Sequence, residues 1–381
     1  MTAPARPGPT RLRILHLAFD DPHRPGSGGG AVRNHEINRR LAARHDVTAV
    51  TVSYPGARER LEDGVHYVQA GLPLGYFGAI LTYFAAMPFV LGRHRSDLVV
   101  EDFAAPFGSW LAPLWTRRPV IGQVQWLAAR EKSRQYRLPF FVFERWGVRV
   151  HRTLIAVSND LAARLRGLNP DADVVVLPNG LDDGIWQVGS RRRRDAVYLG
   201  RLEIAGKGLD MLLQAFASIA DRTDARLLIA GDGPDHGTLS RMIQTMGLGR
   251  RVRLLGRVTG RRRFELLANA QIVCMPTRYE TFGLVALEAL GCGTPVVAFD
   301  IPCLRELLSP ATAVTVPAFR VDAYAEALEQ LLTDPERCRQ MGERGREAAR
   351  GFDWDGIAER QEQVYLRVAA GARGRRRGGI G

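Results

Sequence analysis

Along the chain, short apolar runs rich in β-branched residues alternate with longer stretches where apolar positions recur every three or four residues. The runs predict strands at Arg13–Ala18, Val47–Ser53, Asp97–Glu101, Val120–Val124, Leu154–Val157 and Val174–Leu177. A second set follows at Ala196–Leu199, Arg226–Ala230, Val252–Leu255, Ile272–Met275 and Pro295–Phe299. Between them, helical spacing predicts Ala31–Arg44, Asn159–Arg166, Gly208–Ala220, His236–Met246 and Phe264–Ala268. Alternation of this kind predicts parallel sheets covered on both faces. Two sets predict an α/β chain of two doubly wound, Rossmann-like domains. Periodicity is lost around Asp182–Asp195, so the first domain is expected over 11–185, a linker over 186–195 and the second domain over 196–353. A last helix is expected over 354–370, between a disordered N-terminus (1–10) and a disordered basic tail (371–381).

One apolar stretch departs from this rhythm. No charged residue occurs from Tyr67 to Gly92, and Leu72–Leu91 is long enough to cross a bilayer. Pro73, Gly75, Gly78 and Pro88 interrupt it. Three readings compete, in this order: a core or interdomain helix, an apolar acceptor channel or membrane-contact surface, and a membrane span.

Charge adds a bias toward anions. The net charge is +13, carried by arginine, because the only lysines are Lys132 and Lys207. A solvated surface is one reading; attraction to phosphate-bearing ligands or an anionic membrane face is the other. The runs Arg191–Arg194, Arg261–Arg263 and Arg375–Arg377 have no interleaved aromatic residues, which argues against a nucleic-acid partner. Cys274, Cys292, Cys303 and Cys338 form no C-x-x-C pair and read as reduced thiols of a cytoplasmic protein.

Ligands of open parallel sheets bind beyond the carboxyl ends of strands, so the loops there carry the chemistry. The first, "DDPHRPGSGGGAVRNHE", has Gly28–Gly30 before a helix start, where backbone can approach an anion closely. Gly26, Gly28 and Ala31 give only a partial dinucleotide fingerprint, and no acidic residue ends the second strand. A dehydrogenase is disfavoured. The loop "LGRLEIAGKG" sets Arg201 after a strand and Lys207 before a helix, a diphosphate site in the making. It is no Walker loop: five residues separate Gly200 from Gly206, and Gly208 rather than Ser or Thr follows the lysine. Turns at Gly231–Gly233 and Gly256–Val258 also follow strands, and a flat base could rest against the second.

The stretch "RYETFGLVALEALGCG" poses a sharper question. Every residue from Leu284 to Leu290 is apolar except Glu288. A carboxylate buried in such a helix needs a partner. Glu280 stands eight positions earlier, in the loop after a strand, with Thr281 as a candidate helix cap and the amides of Phe282, Gly283 and Leu284 behind it. Were the whole interval helical, the glutamates would lie roughly 12 Å apart along the axis. A nucleotide sugar fits that layout, with ribose at Glu288, sugar at Glu280 and diphosphate between. An internal salt bridge from Glu288 to an arginine is the alternative.

In order along the chain stand the glycine loop, "VSNDLAARL", "VLPNGLD", "LGRLEIAGKGLDMLLQAF", "AGDGP", "RYETFGLVALEALGCGTPVVA" and "FDWDGIAERQEQVYL". This set resembles glycosyltransferase family 4, the retaining GT-B enzymes, over nearly the whole chain. The resemblance implies transfer of a hexosyl group from a UDP- or GDP-linked donor, with no separate cofactor. It implies catalytic roles for Glu280, Arg201 and Lys207. Arg201 and Lys207 would hold the leaving diphosphate, and Glu280 would touch the sugar beside the Phe282, Gly283 and Leu284 amides. Glu288 would bind the ribose hydroxyls, Val258 the base, and Gly29 and Gly30 would close from the first domain. The last helix would cross back to that domain. One position departs: family members often carry His where this chain has Gln125, which cannot take a proton at neutral pH. A front-face reaction, in which the leaving phosphate takes the acceptor proton, is expected instead.

Asp171-Ala172-Asp173 and Asp353-Trp354-Asp355 match a metal-binding D-x-D only formally, and no metal requirement is expected. The acceptor is open: a small molecule, a glycan or a lipid-linked acceptor, the last hinted at by the apolar Leu72–Leu91 stretch. Its site is expected near Gly26–Arg33, Glu101–Phe107 and Gln125–Tyr136. There Arg130, Lys132, Arg134 and Arg137 suit an acidic or phosphorylated group, or else form a solvated helix face. Rival readings are a phosphorylase-like or sugar-nucleotide-processing enzyme on the same fold, and a non-catalytic sugar-nucleotide or membrane-binding protein.

Overall fold

The computed structural model describes residues 11–127, 129–130, 133, 137–189 and 194–377, with side chains to 373. Lys132, Arg134, Arg191–Arg193, the N-terminus 1–10 and, of the tail expected to be disordered over 371–381, residues 378–381 lie outside the described residues. The chain forms two compact units: residues 1–179 with 354–381, and residues 180–353.

The first unit holds β1 (Arg13–Phe19), β2 (Asp46–Val52), β3 (Arg60–Glu62), β4 (Val65–Ala70), β5 (Leu98–Asp102), β6 (Val120–Val124), β7 (Thr153–Ala156) and β8 (Asp173–Val176). Their order is β3-β4-β2-β1-β5-β6-β7-β8, parallel throughout except for the β3–β4 hairpin. That hairpin was not predicted, although its signal is local. Asp63 and Gly64 have φ of 49° and 78°, as a two-residue hairpin turn requires. The polar residues of β4 hid it, since its strand is only partly buried. One sheet face is closed by helices Gly29–Ala42 and Trp354–Arg377. Their Ile37, Leu41, Ile357 and Tyr365 share a core with Ile14, Val100 and Ile155. The last helix runs through Arg377, beyond the expected end of order at 370. The other face is closed by helix Gly75–Arg93, whose Ile80, Tyr83 and Met87 are fully buried. The uncharged stretch is therefore a half-buried helix on the sheet.

The second unit holds β9 (Asp195–Leu199), β10 (Arg226–Ala230), β11 (Val252–Gly256), β12 (Ile272–Met275), β13 (Val296–Phe299) and β14 (Ala313–Val316). All pairs are parallel, in the order β11-β10-β9-β12-β13-β14. This is the doubly wound order 3-2-1-4-5-6, with its direction reversing between β9 and β12. The unit starts at Gly180, ahead of the expected linker. Leu181 pairs with Asp353, and the 3₁₀ turn Asp183–Gln187 buries Ile185 within this unit.

Candidate active site

The loops leaving β9 and β12 flank the reversal of the second sheet and are bolted together by backbone contacts. Arg278 N donates to Gly206 O at 2.9 Å. The Arg278 guanidinium reaches Ile204 O at 2.8 Å and both oxygens of Asp210 at 3.0 and 2.7 Å. Between them Gly208 adopts φ +67°, and a Cβ there would collide with the carbonyl of Pro276. Only glycine lets the loops approach so closely. The result brings Lys207 Nζ onto Glu280 Oε1 as a part-buried ion pair, the side chains 27% and 18% exposed. Arg201 stands exposed on the same loop. Tyr198, which sequence reasoning passed over as an apolar strand residue, donates its hydroxyl to Arg201 O at 2.8 Å. Burial, then the charges of Glu280 and Glu203, hold its phenol protonated.

The helix Leu284–Gly291 begins differently from expectation. Its cap is Gly283, at φ +87°, and not Thr281; no side chain caps it. The left-handed cap turns the chain sharply, so the first-turn amides are left without a side-chain acceptor, an anion-favouring terminus. Phe282 is buried against Phe352, ring centroids 6.2 Å apart.

Glu288 is 5% exposed, and an arginine does partner it: Arg263 Nη2 lies 3.2 Å from Oε1. The arginine alternative is thus realised, and the reading of Arg261–Arg263 as solvated surface fails at Arg263. That side chain is only 28% exposed and lies 4.6 Å over the Phe264 ring. Helical spacing obscured the pair, because the partners come from different helices. The compensation is incomplete. Burial pushes the Glu288 carboxyl up to about 7; Arg263 pulls it down and Asp182 adds a smaller upward push.

Val258 stands in the loop after β11. It lines a 270 Å³ cavity with Val197, Leu228, Leu255 and Arg262, along the sheet face beside helix Arg261–Asn269. Gly29 and Gly30 belong to the first unit, where Gly28 caps helix Gly29–Ala42. Gly30 touches the residue at the departing position: Gln125 Nε2 lies 3.4 Å from Gly30 O and 3.4 Å from Asn34 Oδ1. Beneath it is a buried polar network that sequence reasoning missed. Asp102 accepts from Asn34 Nδ2 and from Gln123 Nε2 at 2.7 Å. His16 bridges Asp102 at 3.4 Å and Asn38 at 3.0 Å. Gln361 links Gln123 at 2.8 Å to the fully buried Arg33 at 3.0 Å. Polar residues inside apolar strands, His16 in β1 and Gln123 in β6, were the available signal. Glu101 faces elsewhere, accepting from Ser109 Oγ, Trp110 N and Ala112 N at 2.5–2.8 Å. Arg130 and Arg137 are exposed. Among the described residues, no three His, Cys, Asp or Glu gather as metal ligands. Asp173 instead pairs with Arg367 at 2.9 Å.

Two family profiles divide the chain as the sheets do. "Glycosyltransferase Family 4" matches residues 27–184, and "Glycosyl transferases group 1" matches residues 186–348. The chain belongs to glycosyltransferase family 4. Like the family, it transfers a sugar from a nucleotide-diphosphate-sugar donor to an acceptor, on a GT-B fold. An α-D-kanosaminyltransferase of Streptomyces kanamyceticus is 34% identical over 280 residues, 70% of this chain and 67% of that one. A phosphatidyl-myo-inositol mannosyltransferase of Mycobacterium leprae is 29% identical over 373 residues, 93% of this chain and 96% of the relative. A sucrose-phosphate synthase structure from Thermosynechococcus elongatus superimposes with a TM-score of 0.81, at 23% identity, over 95% of this chain and 100% of that one; it shows the fold alone. Family membership removes the dehydrogenase reading.

Proposed function

We propose that this glycosyltransferase is a retaining, metal-independent hexosyltransferase that works by a front-face reaction. The observation that carries the reading is the meeting of Lys207 and Glu280 at the reversal of the second sheet, with Arg201 on the same loop as Lys207 and the start of helix Leu284–Gly291 four residues after Glu280. The donor diphosphate takes Lys207, Arg201 and the first amides of that helix. These fixed donors stabilise the charge that grows as the bond to the sugar breaks. They supply the positive charge a metal would bring. The Lys207–Glu280 pair is part-buried yet keeps solvent access on both side chains, so ligand groups can replace the contact. Glu280, released from Lys207, accepts from a hexose hydroxyl. Glu288 accepts from the ribose hydroxyls, completing what Arg263 compensates only in part. Val258 meets the base, and Gly29 and Gly30 take part from the first unit. Gln125 cannot accept a proton at neutral pH, so the leaving phosphate oxygen receives the acceptor proton. The four cysteines are buried free thiols, in keeping with the cytoplasmic location we propose.

A panel of UDP- and GDP-linked sugars tests the reading, with transfer and donor hydrolysis followed for the wild type, Lys207→Ala and Glu280→Ala. Turnover unchanged in both variants would sink it. So would activity lost in chelator and restored by manganese, as far as metal independence is concerned.

A further inference from the structure

The first unit carries an apolar surface that the donor site does not use. Helix Gly75–Arg93 presses one face onto the sheet and leaves Tyr76, Phe77, Leu81 and Phe89 exposed, by 47, 37, 54 and 70%. That outer face carries no charge before Arg93. A second helix, Phe140–Val150, buries Phe140, Glu144, Gly147 and Val148 and turns Phe141, Val142, Phe143 and Trp146 outward, each more than two-fifths exposed. Phe107 joins the two helices. Its ring lies 5.6 Å from Phe84 on the first, and 5.6 and 5.8 Å from Phe140 and Phe143 on the second. The exposed rings therefore belong to one side of this unit.

Among the described residues of the two helices and their ends, the exposed charges are all arginine. Arg145 and Arg149 stand among the exposed rings of the second helix, Arg137 just before it, and Arg93 and Arg95 at the end of the first. The one acid of the second helix, Glu144, is turned inward and accepts from Ala129 N at 2.9 Å. Trp and Phe interleaved with Arg on an outward helix face make a pattern that settles at a lipid headgroup boundary, with the rings in the acyl edge and the guanidinium groups among phosphates. Crossing the bilayer is ruled out for the first helix by its inner face. Tyr83 there is fully buried, donates to Val50 O at 3.0 Å and packs edge-to-face against Trp110 and Phe19. A second copy of the chain fits less well, because pairing this face with itself sets arginine against arginine.

We propose that this face docks on an anionic bilayer, with both helices lying in the interface, and that the acceptor is a lipid held in that bilayer. The acceptor half of this inference rests on the transferase reading above; the docking half does not.

Flotation of the full chain tests it, using phosphatidylcholine vesicles with and without phosphatidylglycerol. The wild type is expected to float with the anionic vesicles, and less so as salt rises. The pair Phe141→Ser with Trp146→Ser, and the pair Arg145→Glu with Arg149→Glu, should each lower the bound fraction by about tenfold or more. UDP affinity should stay at the wild-type value, which reports an intact second unit. Where a pair also lowers UDP affinity, Leu81→Ser with Phe89→Ser on the other helix repeats the measurement. A wild type that stays with the protein fraction, or variants that float as well as the wild type, overturn the proposal. A wild-type dimer in sedimentation that these substitutions dissociate, with no flotation, assigns the face to a second copy and overturns it too. Vesicle binding without any UDP binding would keep the docking and reject the donor reading.

Discussion

In the second unit, the loops leaving β9 and β12 present a lysine, an arginine and a glutamate at partial exposure. In the first unit, the corresponding strands β1 and β5 flank the same kind of reversal, yet what lies there is a closed network of His16, Asn34, Asp102 and Gln123. One topology thus serves two electrostatic tasks. A part-buried ion pair that keeps solvent access can trade its partner for a phosphate or a hydroxyl. A buried network of amides around one carboxylate holds its geometry, because every lost partner leaves an unpaired group in a poorly polarisable interior. The donor side is built to exchange contacts and the other side to keep them.

Four measurements press on that contrast. The largest effect is expected at Lys207→Ala, where turnover should fall by about 10²–10³-fold, in line with the loss of a fixed donor to a leaving group. A fall of only about twofold would mean that Lys207–Glu280 is an ordinary surface pair. Glu288→Gln keeps the shape and removes the charge. UDP binding by calorimetry should weaken by roughly ten- to a hundredfold, the worth of hydrogen bonds to a charged acceptor. Unaltered affinity would leave Glu288 as the partner of Arg263 and nothing more. On the first unit, Asp102→Ala should destabilise the chain toward urea by about 1–3 kcal/mol while UDP affinity holds. Lower UDP affinity in that variant would break the division of labour.

The smallest effect is one of pH. The Glu288 carboxyl is pushed up to about 7 from an ordinary 4.5. A raised value means that Glu288 is harmless to stability below the unfolded value, where it is protonated in both states. Its contribution then worsens as pH rises from about 4.5 through about 7. Donor binding runs the other way, since the ribose hydroxyls need an ionised acceptor. UDP affinity should therefore rise between about pH 6 and 8. Arg263→Leu should move that rise to higher pH, and Arg263→Lys should restore it. A profile that Arg263→Leu does not move would detach Arg263 from the donor site.

Much of the fold could be read in advance because parallel strands buried on both faces are short continuous apolar runs, as "LLIA" of β10 and "VVAF" of β13 are. β4, half-exposed and mixed in polarity, carried no such run, and only the Asp63-Gly64 turn announced it. The site divides the same way. Lys207 stood out as one of two lysines, set just before a helix, and Glu280 as an acid in the loop after a strand. Gly283 replaced Thr281 as the cap because the chain direction entering the helix, not the residue's capping preference, selected a left-handed conformation.

The order of residues by itself determined two doubly wound domains, the loops that carry charge, and a carboxylate set inside an apolar helix. These are local matters, settled by periodicity and by which residues follow a strand. Only the tertiary structure decided that Arg263, from another helix, partners Glu288, that Lys207 sits on Glu280, and that His16, Asp102 and Gln123 share one buried network. Those pairings join residues far apart in the chain, and burial in a shared interior, which no local pattern records, sets both who meets and how strongly.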